Sequence, residues 1–203
     1  MAAAEQIMKG KAFIRREMER QLPKQQSDAL WEKAEKRLAV ILDQYAGIPK
    51  GEHMHTDRYI FPAAAIYLTA KEALGQEQAY SIIENAAVVS TRAMGERLAK
   101  MMRIPGFCRL FLWLWDPISR EMFGPDRGFR NVFYPREKDG YRMDITSCPY
   151  DRYFSELGCP ELTRIFCDND ERTYGNLPGL KFSRSTTLGK GGKRCDFYLK
   201  KTK

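Results

Sequence analysis

The sequence predicts an α+β protein, with a helical N-terminal layer packed on a small four-stranded antiparallel sheet. Three observations carry this. Apolar residues recur at helical spacing through residues 1–123. Strand-like runs rich in aromatic and β-branched residues begin only after Gly124-Pro125. Those runs come in two pairs, each joined through a turn.

Taken in order, Ser27 is the expected N-cap of a helix whose apolar positions Leu30, Trp31, Ala34, Leu38, Ile41, Leu42 and Tyr45 share a face, and Gly47 to Gly51 ends it. A second helix is expected from about Tyr59 to Leu74, with Pro62 in its first turn. Gly75 separates it from a longer helix carrying Tyr80, Ile83, Ala87, Met94, Leu98 and Met101 on one face, which Pro105-Gly106 breaks. The apolar run Phe107 to Trp115 reads as a buried helix closed by Asp116-Pro117. Strands are expected at residues 131–134, 141–146, 180–188 and 195–199. Between the two pairs, residues 149–172 read as two short helices parted by Gly158-Cys159-Pro160. Residues 1–203 are therefore read as a single α+β domain, mainly helical to residue 123 and carrying the sheet and the cysteines from residue 124.

Composition bounds the function. The hydrophobic content of 43% is that of a globular chain, without repeats or low-complexity tracts. The N-terminus lacks the basic and apolar regions of a secretory signal, and the Phe107 to Trp115 run, interrupted by Arg109, falls short of a membrane span. An odd cysteine count with no export signal points to reduced thiols and a cytoplasmic location. The net charge of +8 is concentrated at one end, where residues 181–203 hold eight basic residues against Asp196. That end reads either as a lysine-blunted strand edge and tail or as an anion site around Arg184, Lys193 and Arg194. No recognition helix or stacking motif accompanies it, so neither a nucleic-acid nor a membrane partner is expected, and self-association is left open.

Four of the five cysteines follow residue 147. Cys148 precedes Pro149, a favourable first helical residue, and would sit at a helix N-terminus, where free amides depress a thiol pKa. Cys159-Pro160 repeats the arrangement. Cys167 lies eight positions beyond Cys159, so a helix can put both on one face, and Asp168 follows it directly. Asp170 and Glu171 read as a solvated helix end. Strand alternation points Cys195 and Asp196 to opposite faces. No Cys-x-x-Cys pair occurs, and His53 and His55 with Asp57 read as loop residues, so no metal or other cofactor is expected. Gly189 to Lys193 lacks the order of a phosphate loop.

The ordered segments Asp144-Ile-Thr-Ser-Cys148-Pro-Tyr150, Phe154-Ser-Glu-Leu-Gly-Cys159-Pro-Glu161, Phe166-Cys167-Asp168-Asn-Asp170, Phe182-Ser-Arg184-Ser-Thr-Thr187-Leu-Gly and Cys195-Asp196-Phe197 resemble the L-2-amino-thiazoline-4-carboxylic acid hydrolase family. The resemblance implies an enzyme of bacterial-type metabolism that opens a small cyclic amidine-type ring to N-carbamoyl-L-cysteine. A thiolate can attack the carbon between sulfur and nitrogen, and water then releases it. On the matching positions, Cys148 or Cys159 is the expected nucleophile, with Cys167 and Cys195 in the same thiol set. Asp168 or Asp196 is the expected proton acceptor. Arg184 and Arg194, with Thr187 and Tyr150, are expected to bind a small-molecule carboxylate. The rival expectation is a non-catalytic small-molecule-binding or scaffold domain of the same fold, since a helical layer on a small sheet also resembles vinyl-reductase-type binding domains.

Overall fold

The computed structural model describes residues 1–202. The N-terminal layer begins with α1 (Ala2–Lys9), α2 (Ala12–Gln21) and α3 (Lys24–Gln44). Helix α3 starts one turn before the expected cap, because Pro23 sets its beginning. Ser27 is therefore inside the first turn, buried, with its hydroxyl unpaired. A single turn, α4 (His53–His55), leads into a π-helical turn at Thr56–Ile60 and then α5 (Phe61–Leu74), so the helix expected from Tyr59 opens with a wide turn. Gly75 joins α5 directly to α6 (Gln76–Met102) at φ +85°, a conformation that side chains with a Cβ avoid.

Helix α7 (Phe107–Met122) departs from expectation twice. It runs through Pro117 instead of stopping there. The missing Pro117 amide would have bonded the Trp113 carbonyl, and the Arg136 guanidinium bonds that carbonyl instead at 3.4 Å. Nor is the helix buried all round: Cys108, Leu112 and Ser119 face inward, while Leu110, Trp113, Leu114 and Ile118 are exposed.

The C-terminal part contains β1 (Arg130–Phe133), β2 (Gly140–Ser147), α8 (Pro149–Glu156), α9 (Leu162–Tyr174), β3 (Leu180–Ser183) and β4 (Cys195–Lys201). The strands form one antiparallel sheet in the order β1-β2-β4-β3, with Met143 opposite Phe197 and Ile145 opposite Cys195. The expected strand to Leu188 ends at Ser183, because the next residues turn so that the Ser185 and Thr186 amides can bond the Asp196 carboxylate.

Strand alternation gives the sheet an inner face of Tyr141, Met143, Ile145, Cys195, Phe197 and Leu199, which packs with α7 into one hydrophobic cluster. A second cluster fills the helical layer, where Leu38, Ile60, Phe61 and Ile66 meet Phe154, Leu162 and Ile165. Each such side chain contributes about 1.5–3 kcal/mol on burial. Tyr150 packs against both clusters, so the start of α8 lies where the two layers join.

Candidate active site

Three thiols converge at that junction. Cys148 is the N-cap residue of α8, Cys167 lies midway along α9, and Cys195 is the first residue of β4, turned inward. The loop between β3 and β4 folds back over them and supplies donors. The Gly189 amide and the Thr187 hydroxyl both reach the Cys167 sulfur, and the Leu188 amide bonds the Cys195 sulfur at 3.2 Å. The Thr187 hydroxyl is buried beside the Cys167 sulfur and makes no hydrogen bond of its own.

These contacts separate the thiols. The Cys195 S–H donates to Cys167, and with the Gly189 amide and the Thr187 hydroxyl it outweighs burial, so the Cys167 thiol falls to about 7. Cys195, as the donor, is held well above the usual thiol range. Cys148 occupies the expected helix N-terminus, but burial pushes its thiol up to about 12 despite the Asp151 and Tyr150 amides. The expected depression therefore does not occur there: desolvation of the thiolate exceeds what the free amides return. Cys159 is fully buried in the helical-layer cluster, apart from the other three, and its thiol is likewise raised to about 12 by burial. Cys108 is buried under α7, donates to the Gly179 carbonyl, and is raised by burial.

One helical turn beyond Cys167, Asp170 is not the solvated helix end its sequence suggests. It pairs with Arg184 at 3.0 Å, and burial raises its carboxyl to about 6 against the pull of that guanidinium. The group lies deep among protein atoms, yet its side chain keeps 41% of its surface accessible. Asp170 can therefore be reached from solvent, and Cys148 and Tyr150 beside it are half-buried rather than sealed in. Arg184 itself is 5% exposed, with its second amino group bonding the Cys167 carbonyl at 2.8 Å. It anchors α9 and already has a carboxylate.

Tyr150 projects into the same region and is held from behind. The Met122 carbonyl can only accept, so His55 Nε2 carries a proton and donates to it at 2.8 Å. Nδ1 then accepts the Tyr150 hydroxyl at 3.0 Å. Burial lowers the His55 pKa, consistent with this neutral ring. His53 turns the other way, to Asp57 at 3.1 Å, so the two loop histidines do not converge. Among the described residues no three His, Cys, Asp or Glu side chains are placed to hold a metal ion.

The remaining expected residues lie elsewhere. Asp168 is paired with Lys190 at 2.6 Å and Arg164 at 3.7 Å. Asp196 faces the outer side of the sheet. Burial raises its carboxyl, but the Ser185 hydroxyl at 2.7 Å and the Ser185 and Thr186 amides lower it further, so the net shift is downward. Arg194 is half exposed and pairs with the buried Asp144 at 3.2 Å on that same outer face. A recess of about 300 Å³ there is lined by Arg142, Ser183, Arg184, Ser185, Asp196 and Tyr198, and Arg184 connects it to the thiol cluster. A second recess, about 290 Å³ between α6 and the end of α9, shares no residue with the cluster.

Sequence reasoning missed Asp170, Gly189 and His55. The one available signal was Asp170 at the i+3 position from Cys167, which a helix places on the same side.

No curated protein matches the chain. A solved structure described as "Probing the function of heme distortion in the H-NOX family" aligns over 82% of this chain and 91% of that one, at 13% identity and a TM-score of 0.29, too loose a likeness to bear on fold or ligand. The family model described as L-2-amino-thiazoline-4-carboxylic acid hydrolase matches residues 53–199, a span that takes in His55, the three convergent thiols, Asp170 and the whole sheet through Leu199. The chain belongs to the L-2-amino-thiazoline-4-carboxylic acid hydrolase family.

Proposed function

We propose that this chain hydrolyses a small cyclic amidine-type ring of the 2-amino-thiazoline-4-carboxylate kind, with Cys167 as nucleophile and Asp170 as proton carrier. The observation that carries the reading is the Cys167 sulfur, set among the Cys195 thiol, the Gly189 amide and the Thr187 hydroxyl and lowered to about 7, one helical turn from a part-exposed carboxyl at about 6. A thiol and an acid tuned toward neutral pH are what an attack followed by a protonated departure requires.

The chemistry balances as follows. Asp170, the stronger acid of the pair, takes the Cys167 proton as the sulfur adds to the ring carbon between sulfur and nitrogen. The ring C–S bond breaks, and the departing sulfur takes the proton of Asp170, leaving an enzyme thioester-like isothiourea. Asp170, now ionised, accepts a proton from water as the water adds to the same carbon. The Cys167–carbon bond breaks, and Cys167 leaves as a thiolate that its donors already stabilise. The ring nitrogen and the exocyclic amino nitrogen both remain on the carbon, so the product is N-carbamoyl-L-cysteine, the ring plus one water. Arg184 positions both reacting groups, since one amino group bonds Asp170 and the other the Cys167 carbonyl.

Incubation with 2-amino-thiazoline-4-carboxylate, followed by a chromogenic disulfide reagent, tests this. Thiol release by the wild-type protein, abolished in Cys167→Ser and retained in Cys159→Ser, is expected. Release that survives Cys167→Ser would assign the attack to water. No release from folded protein would reject the substrate, and a thermal shift on adding the compound would then favour a binding module.

A further inference from the structure

The exposed side of α7 is apolar in a regular pattern. Leu110, Trp113, Leu114, Pro117 and Ile118 stand at i, i+3, i+4, i+7 and i+8, one face of the helix, while Cys108, Leu112 and Ser119 hold the opposite face against the protein. Trp113 and Leu110 are 56% and 47% exposed. The Gly106 corner, with Phe107 bonded back to Ile104, brings the end of α6 alongside, where Met101 and Ile104 are exposed as well. Single exposed apolar residues need no explanation; a helix face with its neighbouring corner does.

Cations accompany this face on α6, on the corner and over Trp113. Arg97, Lys100, Arg103 and Arg136 are exposed and form no ion pair among the described residues. Arg136 lies over the Trp113 ring, 5.8 Å from its centre. Asp116 is neutralised by Arg120 and Asp139 by Arg109, which leaves Glu96 and Glu137 as exposed acids without a cation, the second accepting from the Tyr198 hydroxyl. We infer that this corner docks on an anionic lipid bilayer, with α7 lying in the plane of the interface.

Charge complementarity selects that occupant. A second copy packed symmetrically on this face would set each cation cluster against its own image, which costs association energy. An anionic surface instead attracts every one of them, and a tryptophan beside aliphatic side chains suits the headgroup level. No helix among the described residues is long and apolar enough to cross a membrane, so the expected geometry is lying on the surface. The inference is independent of the thiol site.

Vesicle co-sedimentation tests it, with phosphatidylcholine vesicles compared against vesicles of about three parts phosphatidylcholine to one of phosphatidylglycerol. The protein should pellet at least about tenfold more with the anionic vesicles, and raised salt should release it. Its tryptophan emission should shift to the blue on binding, and the shift should vanish in Trp113→Phe, which leaves Trp31 and Trp115 in place. The double variant Lys100→Glu with Arg103→Glu changes only exposed side chains and should lower binding at least about twentyfold, with unchanged circular dichroism. Equal pelleting with both vesicles, no pelleting, or a concentration-dependent dimer whose Trp113 emission ignores vesicles would overturn the inference.

Discussion

The Gly189 main chain lies so close to Cys167 that a Cβ at residue 189 would stand 2.9 Å from the Cys167 sulfur and 2.9 Å from the Thr163 methyl. Glycine there is a matter of access: its absent side chain lets the amide approach the sulfur and donate to it.

Gly189→Ala should therefore push the loop away and weaken that donation. The Cys167 thiol should rise, and its alkylation by iodoacetamide at pH 7 should slow by about tenfold, at a stability cost of about 1–3 kcal/mol. Mass spectrometry of timed samples reads the first effect and denaturant unfolding the second. Unchanged labelling would remove the amide from the account of Cys167.

In the wild-type protein, Cys167 should be alkylated before Cys108, Cys148, Cys159 and Cys195 at neutral pH. Its rate should rise with pH through about 7, since the thiolate exists above the thiol pKa and the other four are raised. Peptide-resolved labelling between pH 5 and 9 checks the order, and first reaction at Cys148 would reinstate the helix N-terminus as the dominant influence.

Cys195→Ala removes the largest influence lowering Cys167. The labelling profile of Cys167 should move upward in pH, with reactivity at pH 7 reduced about tenfold, while Cys195→Ser, which keeps a donor, should recover part of it. Identical profiles for the two variants would show that volume rather than donation matters at residue 195.

Asp170 makes stability depend on pH in a defined direction. Its carboxyl is raised in the folded state to about 6 from 3.8, so the unfolded chain loses the proton first as pH rises. The cost is absent below about pH 4, develops between pH 4 and 6, and is complete above 6. The thermal midpoint of the wild-type protein relative to Asp170→Asn should fall across that window. A difference constant with pH would mean that Arg184 fully offsets the burial.

Arg184→Met leaves Asp170 without its cation and frees the Cys167 carbonyl. A loss of about 1–3 kcal/mol in denaturant unfolding is expected, because Asp170 stays partly solvated, and Arg184→Lys should recover only part of it, since one ammonium does not reproduce the two-armed contact. Full recovery by lysine would reduce the residue to a point charge.

Local chemistry determined much of this protein directly. Helical spacing, Pro62, Gly75 and Pro105-Gly106 specify the helical layer. Two turn-linked pairs of strand-like runs specify the antiparallel sheet, because periodicity and backbone restriction act over a few residues and are written in order along the chain. The family-like segments likewise marked the region in which the thiols meet. What the tertiary structure decided was the environment of each group. Cys148 and Cys159 have the local neighbours of low-pKa thiols, yet burial in the packed layers raises both. Cys167 has no local advantage, yet a thiol and a loop from 20 or more residues downstream lower it. Asp170 looks solvated in sequence, but the surrounding layers raise it and Arg184 pairs with it, leaving a part-exposed carboxyl. Helix α7 reads as buried from its apolar content alone, and only the layer beneath it determines that one face remains outside. A pKa or a burial depends on every group packed around a side chain, and packing joins residues that the sequence holds far apart.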